Sequence, residues 1–157
     1  METVNIEERL VAKGLTLPAA PQPLGAYVPA VISGNLLYLS GMLPLSQGKL
    51  LRTGKAGLDC TVDELRQDAA LIVLNALAVV KQAIGDFSRI VRCVKLTGYV
   101  ASTADFYDQP QCINGASELL YELMGAAGQH CRSAVGVTAL PLNSPIEIDF
   151  IFEIKRC

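Results

Sequence analysis

The sequence has no tryptophan, one histidine and five cysteines, so it is poor in the side chains that build metal centres. The cysteines form no Cys-x-x-Cys pair, and their number is odd. A Cys/His zinc site would need an unusual ligand set, and we therefore predict no metal site. We expect reduced thiols in a cytosolic protein at all five positions, which are Cys60, Cys93, Cys112, Cys131 and Cys157.

Charge is also sparse, because only 18% of the residues are charged and the formal net charge is -2. The isoelectric point is about 5.4. The sequence has no basic patch of the kind that neutralises phosphates in nucleic-acid-binding proteins. This balance argues against nucleic acid as a partner.

Long hydrophobic runs are missing as well. No apolar run reaches the roughly 18 residues that a membrane span needs. The N-terminus carries Glu2, Glu7 and Glu8, and it lacks the basic start and apolar core of a signal peptide. We therefore predict a cytoplasmic protein with no membrane partner.

Apolar residues are nevertheless abundant, at 51% of the chain, and the mean hydropathy is +0.36. A chain of 157 residues is expected to form one domain with a sizeable core. The excess of apolar residues is better explained by burial between subunits than by lipid. We therefore predict a homo-oligomer.

Local patterns predict three helices. Thr61 and Glu64 have the spacing of a capping box, in which each side chain bonds the backbone N–H of the other residue. Glycines mark the helix ends. The predicted helices run from Ile6 to Lys13 after Asn5, from Thr61 to about Ile84 before Gly85, and from Asp108 to Gly125.

The strands are read from alternation and from turn residues. Gly34-Asn35 favours a hairpin between an extended segment over 25–31 and a strand over 36–40. An exposed loop is expected over 46–57. A strand over 90–100 with apolar residues on both faces is expected to be central in a sheet. Ser133 to Thr138 is short and β-branched, which favours another strand.

The last strand carries the clearest periodic signal. Apolar residues alternate with Glu147, Asp149 and Glu153, which is typical of a half-buried strand. A turn-rich connection with two prolines links it to the strand that begins near Arg132. The sequence allows these two strands to pair, and if they do, Arg132 and Glu147 come from segments that are adjacent in space.

The element order predicts an α+β fold, a mixed sheet with the two longer helices on one face. Two helices cannot cover both faces of a sheet. The uncovered face must meet solvent or another subunit, and the composition favours the subunit.

These segments together resemble the YjgF/YER057c/UK114 family, also called RidA. The resemblance covers about Leu24 to Lys155. Its most specific part is the run Arg-Ser-x-Val, Leu-Pro and Ile-Glu-Ile that begins at Arg132. The matching stretches are Gly25 to Val28, Leu39 to Pro44, Asp105-Phe106 with Asn114, Arg132 to Val135, and Leu140-Pro141 through Ile148.

The resemblance implies a chorismate-mutase-like fold and a homotrimer whose three sheets close a barrel, with a pocket at each subunit interface. It implies one RidA-like domain over 1–157, in which 1–23 is an N-terminal extension that the short archetype lacks. The sequence is closest to a longer branch of the family.

The resemblance also implies an activity. Archetypal members are enamine/imine deaminases that hydrolyse 2-aminoacrylate and related imines to 2-keto acids and ammonia without any cofactor. One alternative is a non-catalytic trimer that captures a small carboxylate such as a keto acid. A further alternative is a ribonuclease or translation inhibitor, which the acidic balance does not favour.

Site roles follow from the resemblance residue by residue. Arg132 matches the arginine that binds the substrate carboxylate, and the backbone N–H of Ala134 matches a second donor. Glu147 matches the residue that positions the hydrolytic water. The matching pocket residues are Tyr27, Ser40, Gly41 and Asn114. The archetype has cysteine at the position of Ala134 and a charged residue at that of Gly136.

Simpler readings of the charged residues remain open. Arg132 could be a surface ion-pair partner, and Glu147 could lie on a solvated face or pair with Arg132 across a trimer interface. His130 could donate a proton at the rim of the pocket. Cys131 is poorly placed to act with His130, because neighbours on a strand point to opposite sides.

The uncharged residues also have structural alternatives. Tyr27 could pack in an interface, and Ser40-Gly41 could be no more than a strand end. Asn114-Gly115 inside a helix could reflect close helix packing instead of a site.

Overall fold

The structure is a computed structural model, and it describes residues 5–156. Glu2 and Cys157 lie outside the described residues. Five strands form one mixed sheet in the order β1-β2-β7-β5-β6, in which β5 and β6 are parallel and the other neighbours are antiparallel. These strands are β1 (Ala30–Ser33), β2 (Leu36–Leu39), β5 (Ile90–Ala101), β6 (Cys131–Val137) and β7 (Ile146–Ile154), and β3 (Leu45–Ser46) and β4 (Lys49–Leu50) form a separate hairpin.

The helices are α1 (Ile6–Ala12), α2 (Val62–Ile84) and α3 (Gln109–Met124). The predicted caps are present: the Asn5 side chain accepts from the Glu8 N–H, and Thr61 and Glu64 form the capping box. α2 and α3 pack on each other and on one face of the sheet, and α1 packs on α3. The predicted α+β fold with the two longer helices on one sheet face is therefore confirmed.

α2 is long and apolar enough to cross a membrane by length and composition alone, although no single apolar run in it is that long. Most of it is buried inside the fold, in the hydrophobic core between the sheet and α3. Its composition is therefore that of a core helix.

The sequence allowed the last two strands to pair, but they are not neighbours in the sheet. β5 lies between β6 and β7 and pairs with both. The physical reason lies in the connections: α3 links β5 to β6 as a crossover, which makes that pair parallel and adjacent. β7 buries one face completely and takes a central position, whereas β6, with Gly136 in it, takes the edge.

Two further expectations need correction. The segment 46–57 is not a plain exposed loop, because it contains the β3–β4 hairpin and its second half is anchored to α2. There the Arg52 guanidinium donates to the fully buried Asp68 carboxylate and to the Glu64 carbonyl oxygen at 2.6 Å. β5 is central as predicted, but its second face is only half-buried in the protomer.

The α2–α3 crossing explains the glycine inside α3. A Cβ added at Gly115 would lie 2.1 Å from the Arg66 carbonyl oxygen of α2. The two helix backbones therefore approach closely at this point, as expected from the Asn-Gly pair inside a helix.

Candidate active site

The sheet register places Arg132 and Glu147 on opposite faces. Arg132 is level with Leu96 and Phe150, which are buried beneath the helices. Glu147 is level with Tyr99 on the open face, because successive side chains of a strand alternate. The two residues are thus separated by β5 and do not contact each other within one protomer.

Glu147 lies in a cavity of about 260 Å³ at the start of β7, which we call the carboxylate cavity. The β2 end, the segment before β1 and the turn before β7 form its walls. Most of its lining is apolar, and among residues 5–156 Glu147 is the one charged residue that lines it. The lining residues are Pro21, Gln22, Pro23, Leu24, Tyr27, Pro29, Ser40, Gly41, Met42, Leu43, Leu45, Pro141 and Glu147.

The Glu147 carboxylate has no compensating charge. Within residues 5–156 it forms neither an ion pair nor a hydrogen bond. Burial, and then the nearby Asp149 carboxylate, raise the pKa of Glu147 above its ordinary value. A carboxyl group in this state is suited to accept and return a proton.

Gly41 lies directly against the Glu147 carboxylate. A Cβ at Gly41 would lie 2.7 Å from Glu147 Oε1, so the carboxylate occupies the space that any side chain would need. The predicted roles of Gly41 and Glu147 therefore converge on one contact.

Tyr27 and Ser40 are held by local hydrogen bonds. The Tyr27 hydroxyl accepts from the Leu24 N–H at 3.2 Å, and Ser40 Oγ donates to the Val28 carbonyl oxygen at 2.7 Å. Both side chains line the carboxylate cavity with Glu147. Their hydrogen bonds fix the shape of the wall opposite the carboxylate.

Arg132 lies in a second, shallower depression of about 620 Å³, which we call the arginine cleft. Its guanidinium donates to Ser117 Oγ at 3.0 Å and to the Pro110 carbonyl oxygen at 3.3 Å. Both partners belong to α3, which pins the guanidinium plane at the sheet edge. The lining residues are Asn114, Ser117, Glu118, Tyr121, Glu122, Gly128, Gln129, His130 and Arg132.

His130 is connected to Arg132 through Ser117. Ser117 Oγ lies 2.9 Å from His130 Nε2, and His130 Nδ1 lies 2.7 Å from the Gly128 carbonyl oxygen. Cys131 is exposed and bonds the Val94 carbonyl oxygen instead, which agrees with the expectation that it does not act with His130.

The site residues predicted from the sequence therefore form two groups. Tyr27, Ser40 and Gly41 join Glu147, whereas Asn114 and His130 join Arg132. The Ala134 side chain packs against the core and lines neither depression.

Sequence reasoning missed two contributions to these groups. Ser117 follows Asn114 by three residues on α3, a spacing that puts both on one helix face and could have revealed it. The segment 21–24, of which 21–23 belongs to the predicted extension, forms part of the carboxylate cavity wall. Its irregular backbone offered no periodic signal.

The model of a family described as "YjgF/chorismate_mutase-like, putative endoribonuclease" matches residues 7–154. The chain belongs to the YjgF/YER057c/UK114 (RidA) family. The match includes nearly all of α1 and the cavity wall over 21–24, so most of the predicted extension lies within it.

Individual relatives of this RidA-family chain carry different names. Protein TCP17 of Trypanosoma cruzi is 38% identical over 97% of this chain and 96% of its own length. A 2-iminobutanoate/2-iminopropanoate deaminase of Dermatophagoides farinae is 31% identical over 90% and 95%. The crystal structure of Atu1372, a protein of unknown function from Agrobacterium tumefaciens, has a TM-score of 0.87 at 48% identity and covers 95% and 91% of the two chains.

Proposed function

We propose that this protein is a cofactor-free enamine/imine deaminase, which hydrolyses 2-aminoacrylate-like imines to 2-keto acids and ammonia. The observation that carries the proposal is the Glu147 carboxylate in an apolar cavity, with a raised pKa and no ion pair or hydrogen bond to any residue of 5–156. The 31% identity to a named 2-iminobutanoate/2-iminopropanoate deaminase supports the same chemistry.

The complete site is composite in this proposal: Arg132 comes from one protomer and Glu147 from another. Two observations support it. The residues lie on opposite faces of one sheet, and the open face exposes large apolar side chains at Val31, Tyr38 and Val135. Covering these side chains with further copies, as in a homotrimeric barrel, buries the apolar surface and brings an arginine cleft to a carboxylate cavity.

The chemistry asks little of the protein. The Arg132 guanidinium binds the substrate carboxylate, because its planar fork makes parallel charged hydrogen bonds to two oxygens. The imine carbon becomes electrophilic when its nitrogen is protonated. Glu147 orients a water molecule and takes its proton as the oxygen attacks that carbon.

The composite arrangement is tested by complementation between two inactive variants. Arg132→Ala and Glu147→Gln are purified, unfolded together and refolded as a mixture. Each variant alone should hydrolyse an imine generated in situ at less than about 1% of the wild-type rate. In a randomly assorted 1:1 mixture about a quarter of all sites combine an intact arginine with an intact glutamate, so activity should return toward that fraction.

Failure of this mixture to recover activity, with mixed oligomers demonstrated by mass spectrometry, would contradict a composite site. Full activity in either single variant would contradict the deaminase mechanism itself.

A non-catalytic carboxylate-binding protein is the second candidate. The observation that favours it is that the arginine cleft holds the guanidinium in place without any help from Glu147. Keto-acid binding that needs Arg132, together with no accelerated decay of any imine, would favour this reading over the enzyme.

A further inference from the structure

Three polar side chains in the arginine cleft are connected in series. His130 Nδ1 lies 2.7 Å from the Gly128 carbonyl oxygen, His130 Nε2 lies 2.9 Å from Ser117 Oγ, and Ser117 Oγ accepts from Arg132 at 3.0 Å. All three side chains are half-buried and line the same depression. The series therefore links the imidazole ring to the group that would hold the substrate.

The Gly128 carbonyl oxygen determines which nitrogen of the His130 ring carries a hydrogen. A carbonyl oxygen only accepts, so Nδ1 of His130 must carry a hydrogen. In the neutral ring Nε2 is then the acceptor, and the Ser117 hydroxyl donates to it. When the ring gains a proton, Nε2 becomes a donor to Ser117 Oγ and the serine hydrogen is free to turn into the cleft.

We propose that Ser117 and His130 form a proton relay that delivers a proton to the imine nitrogen of a substrate held by Arg132. This inference rests on the proposed deaminase function and adds a general acid to it. Charged His130 gives its Nε2 proton to Ser117 Oγ while the serine hydroxyl passes its own proton to the imine nitrogen. No covalent bond to the protein is formed.

The proton balance closes over the hydration step. The relay gives one proton to nitrogen, and Glu147 takes one proton from the attacking water. Glu147 returns its proton to solvent and His130 takes one up, so the protein ends in its starting state. The relay and Glu147 therefore handle different protons and cannot replace each other.

Several charged or titratable groups surround the relay. From β6 it meets Arg132, and from α3 it meets Glu118, Tyr121 and Glu122. Both glutamates are engaged elsewhere: Glu118 pairs with Arg66, and Glu122 pairs with Lys13. Among the described residues, the His130 ring has its hydrogen-bond contacts with Ser117 Oγ and with the Gly128 carbonyl oxygen.

The test compares Ser117→Ala, Ser117→Thr and His130→Gln with the wild-type protein across pH 5–9. In the wild type the relay should give the pH profile of kcat/KM for an imine a limb on which activity falls as pH rises. Ser117→Ala and His130→Gln should lower kcat/KM at pH 6 by about 100-fold and remove this limb of the profile. Ser117→Thr keeps the hydroxyl and should keep the limb.

A second readout separates the relay from a merely structural role of Ser117. A 2-keto acid has no nitrogen to protonate, so the Ser117→Ala variant should lose much less in keto-acid affinity, measured by calorimetry, than in kcat/KM, even though it also loses the Arg132–Ser117 hydrogen bond. His130 is the single histidine of the chain, so its ring nitrogens can be followed by NMR without assignment. The neutral ring should carry its hydrogen on Nδ1.

The outcomes are distinguishable. A Ser117→Ala variant with a wild-type pH profile, or one that loses keto-acid affinity as much as activity, would overturn the relay and leave the deaminase standing. Wild-type protein that hydrolyses no imine would overturn the proposed function and the relay with it. A neutral His130 with its hydrogen on Nε2 would overturn the relay alone.

Discussion

Substituting Gly41 with alanine should lower kcat/KM for the proposed reaction strongly and should leave the thermal stability of the fold nearly unchanged. The added Cβ would lie 2.7 Å from Glu147 Oε1, and ordinary contact begins near 3.4 Å, so the carboxylate must retreat by about 0.7 Å. The obstructing atoms are the end of a flexible side chain that borders a cavity, and Gly41 has no left-handed backbone to strain. The displacement should therefore cost little stability.

The same displacement is large for a group that aims a water molecule. Misplacing a catalytic group by about 1 Å can cost about 100-fold in rate, so we expect kcat/KM to fall by roughly 10- to 100-fold in Gly41→Ala. The assay follows the decay of an imine generated in situ, and thermal unfolding is measured beside it. Gly25→Ala is the matched control, because its Cβ would meet Tyr27 at an ordinary 3.4 Å.

A double-mutant cycle makes the reasoning refutable. If the methyl group acts only by moving the carboxylate, adding Gly41→Ala to Glu147→Gln should change the residual activity by less than about twofold. Additive losses in the double variant, or a Gly41→Ala protein with wild-type kcat/KM, would refute the assigned contact.

Three other predictions concern stability. Burial raises the pKa of Glu147, so the folded state favours the neutral carboxyl group. The stability that this preference provides at low pH is lost as pH rises through the folded pKa. Glu147→Gln should therefore melt at a higher temperature than the wild type at pH 8 and at the same temperature at pH 4. Asp68→Ala strands the Arg52 charge beside a fully buried site and should cost about 3 kcal/mol in urea unfolding; a loss below about 1 kcal/mol would contradict this. Gly115→Ala meets the Arg66 backbone at 2.1 Å and should cost about 2 kcal/mol despite alanine's better helix propensity, whereas a gain in melting temperature would refute the close crossing.

Much of the local structure was predictable because the chemistry that decides it is local. The Thr61–Glu64 capping box and the Gly34-Asn35 hairpin each depend on residues within three or four positions of one another. The alternation of β7 is likewise visible in the sequence because one face is fully buried.

The pairing order of the strands was not predictable in the same way. Placing β5 between β6 and β7 joins residues some fifty positions apart, such as Tyr99 and Glu147, and no local pattern records that choice. The sequence allowed Arg132 and Glu147 to lie on adjacent strands, whereas the sheet separates them by β5. Ser117 escaped notice for a related reason, since its value lies in meeting His130 and Arg132 from another element.

The position of β5 between β6 and β7 also keeps Arg132 and Glu147 from pairing within one protomer. An arginine and a glutamate on adjacent strands of one face would form an internal salt bridge, and neither side chain would then be available to bind a ligand. Two strand spacings of about 4.8 Å and opposite faces keep Arg132 and Glu147 apart, so they form no salt bridge with each other within one protomer. Within residues 5–156 the Arg132 guanidinium and the Glu147 carboxyl group are thus both left without an ion-pair partner.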